Sequence, residues 1–224
     1  MKIVKISAAA ALACALAVSA NAEDAKPKRT LKNNMQEVYN VVPSSVDSLS
    51  AAFSEGMVYG RLRANTFYWD WQTPTSWDPA KGKGNLDNRI MGLGGSIIYK
   101  TAPLYGLSAT AGVYGSVAPF WFREDIADIG GVKAGKDTIS RYDVKTDGKY
   151  HMISLAQMYG QYDFSKNSVK FGRQIFESVL TKSNDTKMIP NTFEGVTLET
   201  KEIPATTIRG AYFYAQKLRD HTTF

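Results

Sequence analysis

Met57-Val58-Tyr59-Gly60-Arg61-Leu62-Arg63-Ala64-Asn65-Thr66-Phe67-Tyr68 is the stretch on which the fold turns. In an extended chain successive side chains point to opposite faces. Val58, Gly60, Leu62, Ala64 and Tyr68 then share one face, and Tyr59, Arg61, Arg63, Asn65 and Phe67 the other. One face is apolar along the whole run, and the other carries two guanidiniums two residues apart. A half-buried strand alternates this way. In a soluble sheet Arg61 and Arg63 form a solvated face. In a membrane barrel the same face lines the lumen, where two cations make a stripe that attracts anionic groups. The unbroken apolar face opposite favours the barrel, because lipid-facing and lumen-facing residues must alternate along every strand.

The same period recurs downstream. Asn88–Thr101 sets Met91, Leu93, Ile97 and Tyr99 against Gly92, Gly94 and Ser96. Gly106–Gly115 sets Leu107, Ala109, Ala111 and Val113 against Ser108, Thr110, Gly112 and Tyr114. His151–Phe164 is a further strand whose faces are blurred by Met152, Ser154 and Ala156, and Val169–Ile175, Val196–Glu202 and Thr206–Gln216 follow. That makes seven expected strands. Twelve Tyr, ten Phe, four Trp and 18 Gly suit strands and aromatic girdles better than a helical bundle.

The connections discriminate further. Thr101–Tyr105, Ser165–Ser168 and Ile203–Ala205 are short; Gln72–Asp87, Ser116–Tyr150 and Phe176–Gly195 are long, and the two kinds alternate without exception. An up-and-down outer-membrane barrel has short periplasmic turns and long external loops. A soluble sandwich has no reason to segregate loop length by end, and a structureless loop of such length is unusual in a compact domain.

Upstream, Met1–Ala22 reads as a secretory signal: Lys2 and Lys5, the apolar Ile6–Val18, then Ala20-Asn21-Ala22 as the cleavage site. Its removal takes 22 of 224 residues and two lysines, leaving 202 residues and lowering the formal net charge from +6 to +4. The single cysteine, Cys14, lies within it, so the mature chain has no thiol, disulfide or cysteine-based metal site. Ala11-Leu12-Ala13 is a poor lipid-attachment box. Glu23–Asn40 is Lys-rich with little to bury and is expected to be a mobile periplasmic lead-in. In Pro43–Glu55, Val46, Leu49 and Phe53 recur at helical spacing, with Ser44 and Asp47 as a capping box and Gly56 as the stop, which predicts a short amphipathic helix. The domain plan is therefore signal peptide 1–22, lead-in with helix 23–55, and partial barrel 56–224. Beyond the signal no apolar run approaches the ~18 residues of a spanning helix.

Chemical motifs are few. His151 and His221 are the only histidines, and no Ser, Asp and His form a nucleophile motif, so an enzyme is not expected. Gly92-Leu93-Gly94-Gly95 is followed by the strand-like Ser96-Ile97-Ile98-Tyr99, so no helix N-terminus would meet a dinucleotide phosphate. Asp143–Gly148 places Lys145 at a calcium-ligand position, and Ser154 replaces the terminal Glu. No cofactor, metal or nucleic-acid partner follows; the basic excess behind the pI of about 9.2 is small and scattered. Phe67-Tyr68-Trp69-Asp70-Trp71, with Trp77, fits an aromatic girdle at a membrane exit. It also allows a second reading, a soluble secreted protein stacking carbohydrate on Trp69, Trp71 and Trp77, and a third is a small adhesin-like barrel. Ser183, Asn184, Asp185, Lys187, Pro190 and Asn191 crowd the third long connection, either as an exposed loop or as one folded inward to narrow a pore; residue types leave both open.

Tyr159-Gly160-Gln161-Tyr162-Asp163, Phe171-Gly172-Arg173-Gln174, Ser183-Asn184-Asp185 and Met188-Ile189-Pro190-Asn191-Thr192-Phe193-Glu194-Gly195 resemble the OprD-type outer-membrane porins, and Ser48–Arg63 resembles the first strand of their epsilonproteobacterial members. The resemblance implies an all-β, antiparallel, up-and-down transmembrane barrel of 18 strands, of which this chain supplies the N-terminal seven. It implies a Gram-negative outer-membrane location and, at full length, a homotrimer. It also implies passive diffusion of small hydrophilic solutes such as amino acids, peptides or carboxylates past an arginine row and an inward loop. Tyr59, Arg61, Arg63, Asn65 and Arg173 are then the pore-lining candidates, and Ser183, Asn184, Asp185, Lys187, Pro190 and Asn191 the constriction candidates. Such porins run to about twice this length, and seven strands do not close a single-chain bacterial barrel. The expectation is a truncated product or partial gene model whose open edges lipid cannot satisfy.

Overall fold

The computed structural model describes residues 29–31, 37–72, 75–181 and 187–224. A small hairpin pairs β1 (Arg29–Leu31) with β2 (Glu37–Tyr39). After a short helix, α1 (Leu49–Ser54), seven strands follow: β3 (Met57–Trp69), β4 (Asn88–Lys100), β5 (Leu107–Val117), β6 (His151–Phe164), β7 (Asn167–Gln174), β8 (Thr192–Thr200) and β9 (Ile208–Lys217). Each pairs antiparallel with its sequence neighbour, so β3 to β9 form one open, up-and-down sheet. A second short helix, α2 (Arg141–Asp147), lies in the connection before β6. No helix among the described residues is long and apolar enough to cross a membrane.

The two faces of the sheet invert the usual burial rule. On one face large apolar side chains are exposed: Leu62 at 95%, Ile153 at 68%, Val58 at 67%, and with them Ile97, Leu107, Phe171 and Tyr212. On the other, small polar residues are buried: Ser108, Thr110, Ser116, Ser154 and Thr197. In β5 the alternation holds almost without a break along eleven residues. Water-facing proteins bury apolar groups and rarely expose a contiguous apolar surface of this extent. The pattern suits a wall with hydrocarbon outside and water within.

The blurred faces of β6 have a local cause. Gly112 pairs with Gln157 and Val113 with Leu155, so Ala156 is an extra residue, a β-bulge. The bulge resets the parity: Ile153 and Met158 both face outward, although they stand an odd number of positions apart, while Met152, Ser154 and Ala156 are buried on the covered face. A similar shift leaves Tyr214 extra between Phe213 and Ala215. The short ends are tight. Tyr105, Ser165 and Ala205 adopt left-handed backbone at φ 50°, 51° and 57°, one in each short turn. That conformation reverses a strand within a few residues.

Two expectations are corrected. The helix is capped by Ser48, whose Oγ accepts from Ala51 N at 3.2 Å, not by Ser44 and Asp47. Val46 N donates to Pro103 O at 2.9 Å, which holds residues around 46 extended against the first short turn and delays the helix. Ala52, not Leu49 or Phe53, is the helix's buried residue, packing with Val46 and Ala102; Leu49 and Phe53 are exposed. The lead-in also buries more than its composition suggests. Tyr39 stacks on Tyr59 with ring centroids 3.9 Å apart, and the Tyr59 hydroxyl donates to Val41 O at 2.9 Å.

Candidate functional site

The covered face of the sheet is where the long connections converge. Ser116–Tyr150 is far from structureless: Ile129, Val132, Ile139 and Val144 are buried with Ile90 and Ala118, and Phe67 and Tyr150 pack against them. The connection is thus folded onto the face that carries Arg61 and Arg63. Its turn at 135–138 is closely packed and hydrogen-bonded. Gly135 takes φ +72°, and a Cβ there would meet Ile90 and Phe67 at 2.5 and 2.6 Å. Thr138 Oγ1 donates to Gly135 O at 2.8 Å, and Ser116 Oγ donates to Thr138 O at 2.6 Å.

The third long connection returns over the same strands. Met188 and Ile189 are fully buried in a cluster with Ile98, Tyr114, Met152 and Ala156, with Tyr39 and Tyr59 packed against it. The two connections meet above Gly92, where an added Cβ would lie 2.9 Å from Thr138 Cβ, 3.1 Å from Met188 Cγ and 3.1 Å from Ser116 Oγ. Glycine there leaves room for both loops on the strand.

Of the expected pore-lining residues, Tyr59, Arg61, Arg63 and Asn65 alternate, together with Phe67, as the less exposed positions of β3. Arg63 donates to the carbonyl of Lys187. The Lys187 ammonium lies 5.3 Å from the Phe67 ring centroid and 3.7 Å from Asp137 Oδ2. Phe67 therefore points under the loops rather than joining a girdle, while Tyr68 points outward. Arg173 stands apart from Arg61 and Arg63. It lies four strands along the sheet, ~19 Å at the usual strand spacing. Its Nε donates to Glu194 Oε1 at 2.7 Å, another guanidinium nitrogen donates to Leu155 O at 2.8 Å, and the group lies 4.0 Å from the Phe224 ring. Within the third connection, Pro190 is buried and its carbonyl accepts from Lys217 at 3.4 Å, and Asn191 accepts from Gln216 at 3.1 Å. Ser183, Asn184 and Asp185 lie outside the described residues.

Several polar groups of this face escaped the sequence reading. Asp137, buried at 5% exposure, joins Lys187 to Arg219, whose Nε is 3.3 Å from the same carboxylate oxygen. Lys217 is fully buried, its ammonium donating to three backbone carbonyls, of Pro190, Leu218 and His221. Toward the short-turn end a polar cavity of about 480 Å³ is lined by Gln161, Ser168, Lys170, Thr197, Glu199 and Arg209, among others. Lys170 there lies 5.2 Å from the Tyr159 ring. The one available hint was the small polar run Gly135–Ser140, whose composition resembles that of the third connection.

The remaining motifs have plain structural roles. Gly92–Gly95 lies inside β4, and Asp143–Asp147 is helical in α2, so neither forms the phosphate or calcium loop it hints at. Among the described residues no group of His, Cys, Asp and Glu could hold a metal ion. Trp69 and Trp71 meet edge-on at 72°, Trp71 Nε1 donates to Leu86 O at 3.1 Å, and the Trp77 ring packs against Gly131; the three indoles do not form one flat platform.

Residues 130–224 match the family model described as outer membrane porin, OprD family. A search of curated proteins finds no match. Among solved structures, Pseudomonas aeruginosa OccK9 (OpdG) is similar at 18% identity and a TM-score of 0.55, over 77% of this chain and 41% of that one. A BenF-like porin from Pseudomonas fluorescens Pf-5 is similar at 16% identity and 0.57, over 77% and 40%. Acinetobacter baumannii OccAB3 is similar at 16% identity and 0.56, over 76% and 39%. At such identities the likeness is one of fold. The matched chain spans about two-fifths of the length of these structures, and its sheet is correspondingly open.

Proposed function

We propose, from the premise that residues 130–224 carry the OprD-family pattern on a porin-type sheet, that this chain forms part of the wall of an outer-membrane porin. The porin passes small hydrophilic solutes such as amino acids, peptides or carboxylates by diffusion. It has no catalytic step; the concentration gradient alone drives transport. Residues 1–22 direct export, residues 23–55 lead in, and the full-length protein works as a trimer.

The observation that carries this reading is the inside-out sheet, with Leu62, Val58, Ile97 and Ile153 exposed on one face and buried serines and threonines on the other. Strands of 11 to 14 residues in β3 to β6 meet the length needed to cross the hydrocarbon at a tilt. On the covered face Arg61 and Arg63 supply positive charge, which draws carboxylates in, and the inward connections narrow the passage. Labelling native envelopes with a lipophilic photoprobe tests the reading. Leu62, Leu93 and Val113 are expected to be labelled and the protein to fractionate with the outer membrane. A protein that stays in the aqueous extract, with those residues unlabelled, refutes it.

A further inference from the structure

We propose that Asp137 is the latch that sets both the position and the charge of the pore's loop-lined wall. The inference rests on the porin reading and goes beyond it, because Asp137 belongs to the second long connection rather than to the third, where the sequence places the constriction.

Three segments far apart in the chain meet at one carboxylate oxygen. Asp137 Oδ2 is 3.7 Å from Lys187 Nζ, in the third connection, and 3.3 Å from Arg219 Nε, beyond β9. The Asp137 side chain is 6% exposed, Lys187 20% and Arg219 37%, so water reaches the junction mostly from the Arg219 side. A charge buried to this degree persists only with partners. Asp137 is also held by contacts other than its ion pairs: it lies in the 135–138 turn, pinned by the Thr138 and Ser116 hydrogen bonds and by the contact of Gly135 with Ile90 and Phe67. Lys187 is gripped from three sides: Arg63 on its carbonyl, Phe67 near its ammonium and Asp137 opposite.

The consequence is electrostatic as well as mechanical. Lys187, Arg219 and Arg63 bring three positive charges to the junction, and Asp137 offsets one. The field that a passing ion meets is therefore set by Asp137 as much as by the arginines of β3. Asp137 acts through Lys187 and Arg219, as a positioning residue.

The test uses the full-length protein purified from outer membranes, in planar bilayers, with Asp137→Asn and Asp137→Glu. Asparagine keeps the shape and removes the charge. The expected result is an anion-over-cation permeability ratio raised about twofold or more, with added current noise as the loops lose their tie. Glutamate is expected to restore both toward wild type. A purely packing role moves neither the reversal potential nor its rescue by glutamate. Wild-type selectivity and quiet channels in Asp137→Asn overturn the latch. Should Asp137→Asn fail to assemble, the exchanged pair Asp137→Lys with Lys187→Asp decides: a quiet channel supports the latch, a noisy one overturns it. Full-length wild-type protein that conducts no ions overturns the porin reading, and the latch with it.

Discussion

Replacing Leu62 by Arg distinguishes a membrane wall from a soluble sheet more sharply than any other single change. Leu62 is the sixth of the thirteen residues of β3 and is 95% exposed. At ~3.3 Å per residue the strand runs ~40 Å, and a tilt of about 40° gives ~30 Å of height, the thickness of the hydrocarbon core. Leu62 then sits ~13 Å from the short-turn end, near the midplane, where Arg costs about 2–4 kcal/mol. At ~0.59 kcal/mol per RT this is a ~30- to ~900-fold loss in the folded-to-unfolded ratio. On a soluble sheet, an arginine at so exposed a position changes stability by no more than about 0.5 kcal/mol. The assay is urea titration of the protein in liposomes, wild type against Leu62→Arg, followed by tryptophan emission and by the electrophoretic shift of unheated samples. An unfolding free energy changed by less than about 0.5 kcal/mol refutes the assignment of this face to lipid.

Four further outcomes follow from the same geometry. Replacing Arg61 and Arg63 together by Glu in the full-length protein should shift reversal potentials in a salt gradient toward cations; unchanged potentials count against their lying in the pore. In the full-length protein Gly92→Val should lower stability by about 1–3 kcal/mol, as for an overpacked site, and with it single-channel conductance, because Thr138 and Met188 already stand 2.9 and 3.1 Å from where its Cβ would be. Tyr150, outside the strands, is held above its ordinary phenol range by burial, partly opposed by the Arg123 guanidinium 3.5 Å from its ring. Its contribution to folding is thus complete below the ordinary phenol pKa and is lost as pH rises through the raised value, which absorbance and emission titrations of wild type and Tyr150→Phe can follow. The present chain alone, purified and added to planar bilayers, should give no discrete openings, because an open seven-stranded sheet leaves strand edges that lipid cannot satisfy; stable openings would overturn that.

The strands, their order and the alternation of short and long connections were legible in the sequence, because period-two patterning and turn composition are local properties. Leu62 and Arg63 fall on opposite faces of the sheet by adjacency alone. The helix at 49–54 was legible in existence but not in its start, since the cap moved from Ser44 to Ser48 through a tertiary hydrogen bond, Val46 N to Pro103 O. The bulge at Ala156 was invisible because one inserted residue changes no propensity, only the parity of everything beyond it. The covered face was half legible. The placing of Arg61 and Arg63 follows from strand phase, and the residue types of the loop around Pro190 left its direction open, whereas Asp137, Lys187 and Arg219 converge only in three dimensions. Local spacing fixes which way a side chain points from its own strand; which distant charge it meets depends on how the loops fold back, and that is decided by packing of Ile90, Met188 and their neighbours between the connections and the sheet.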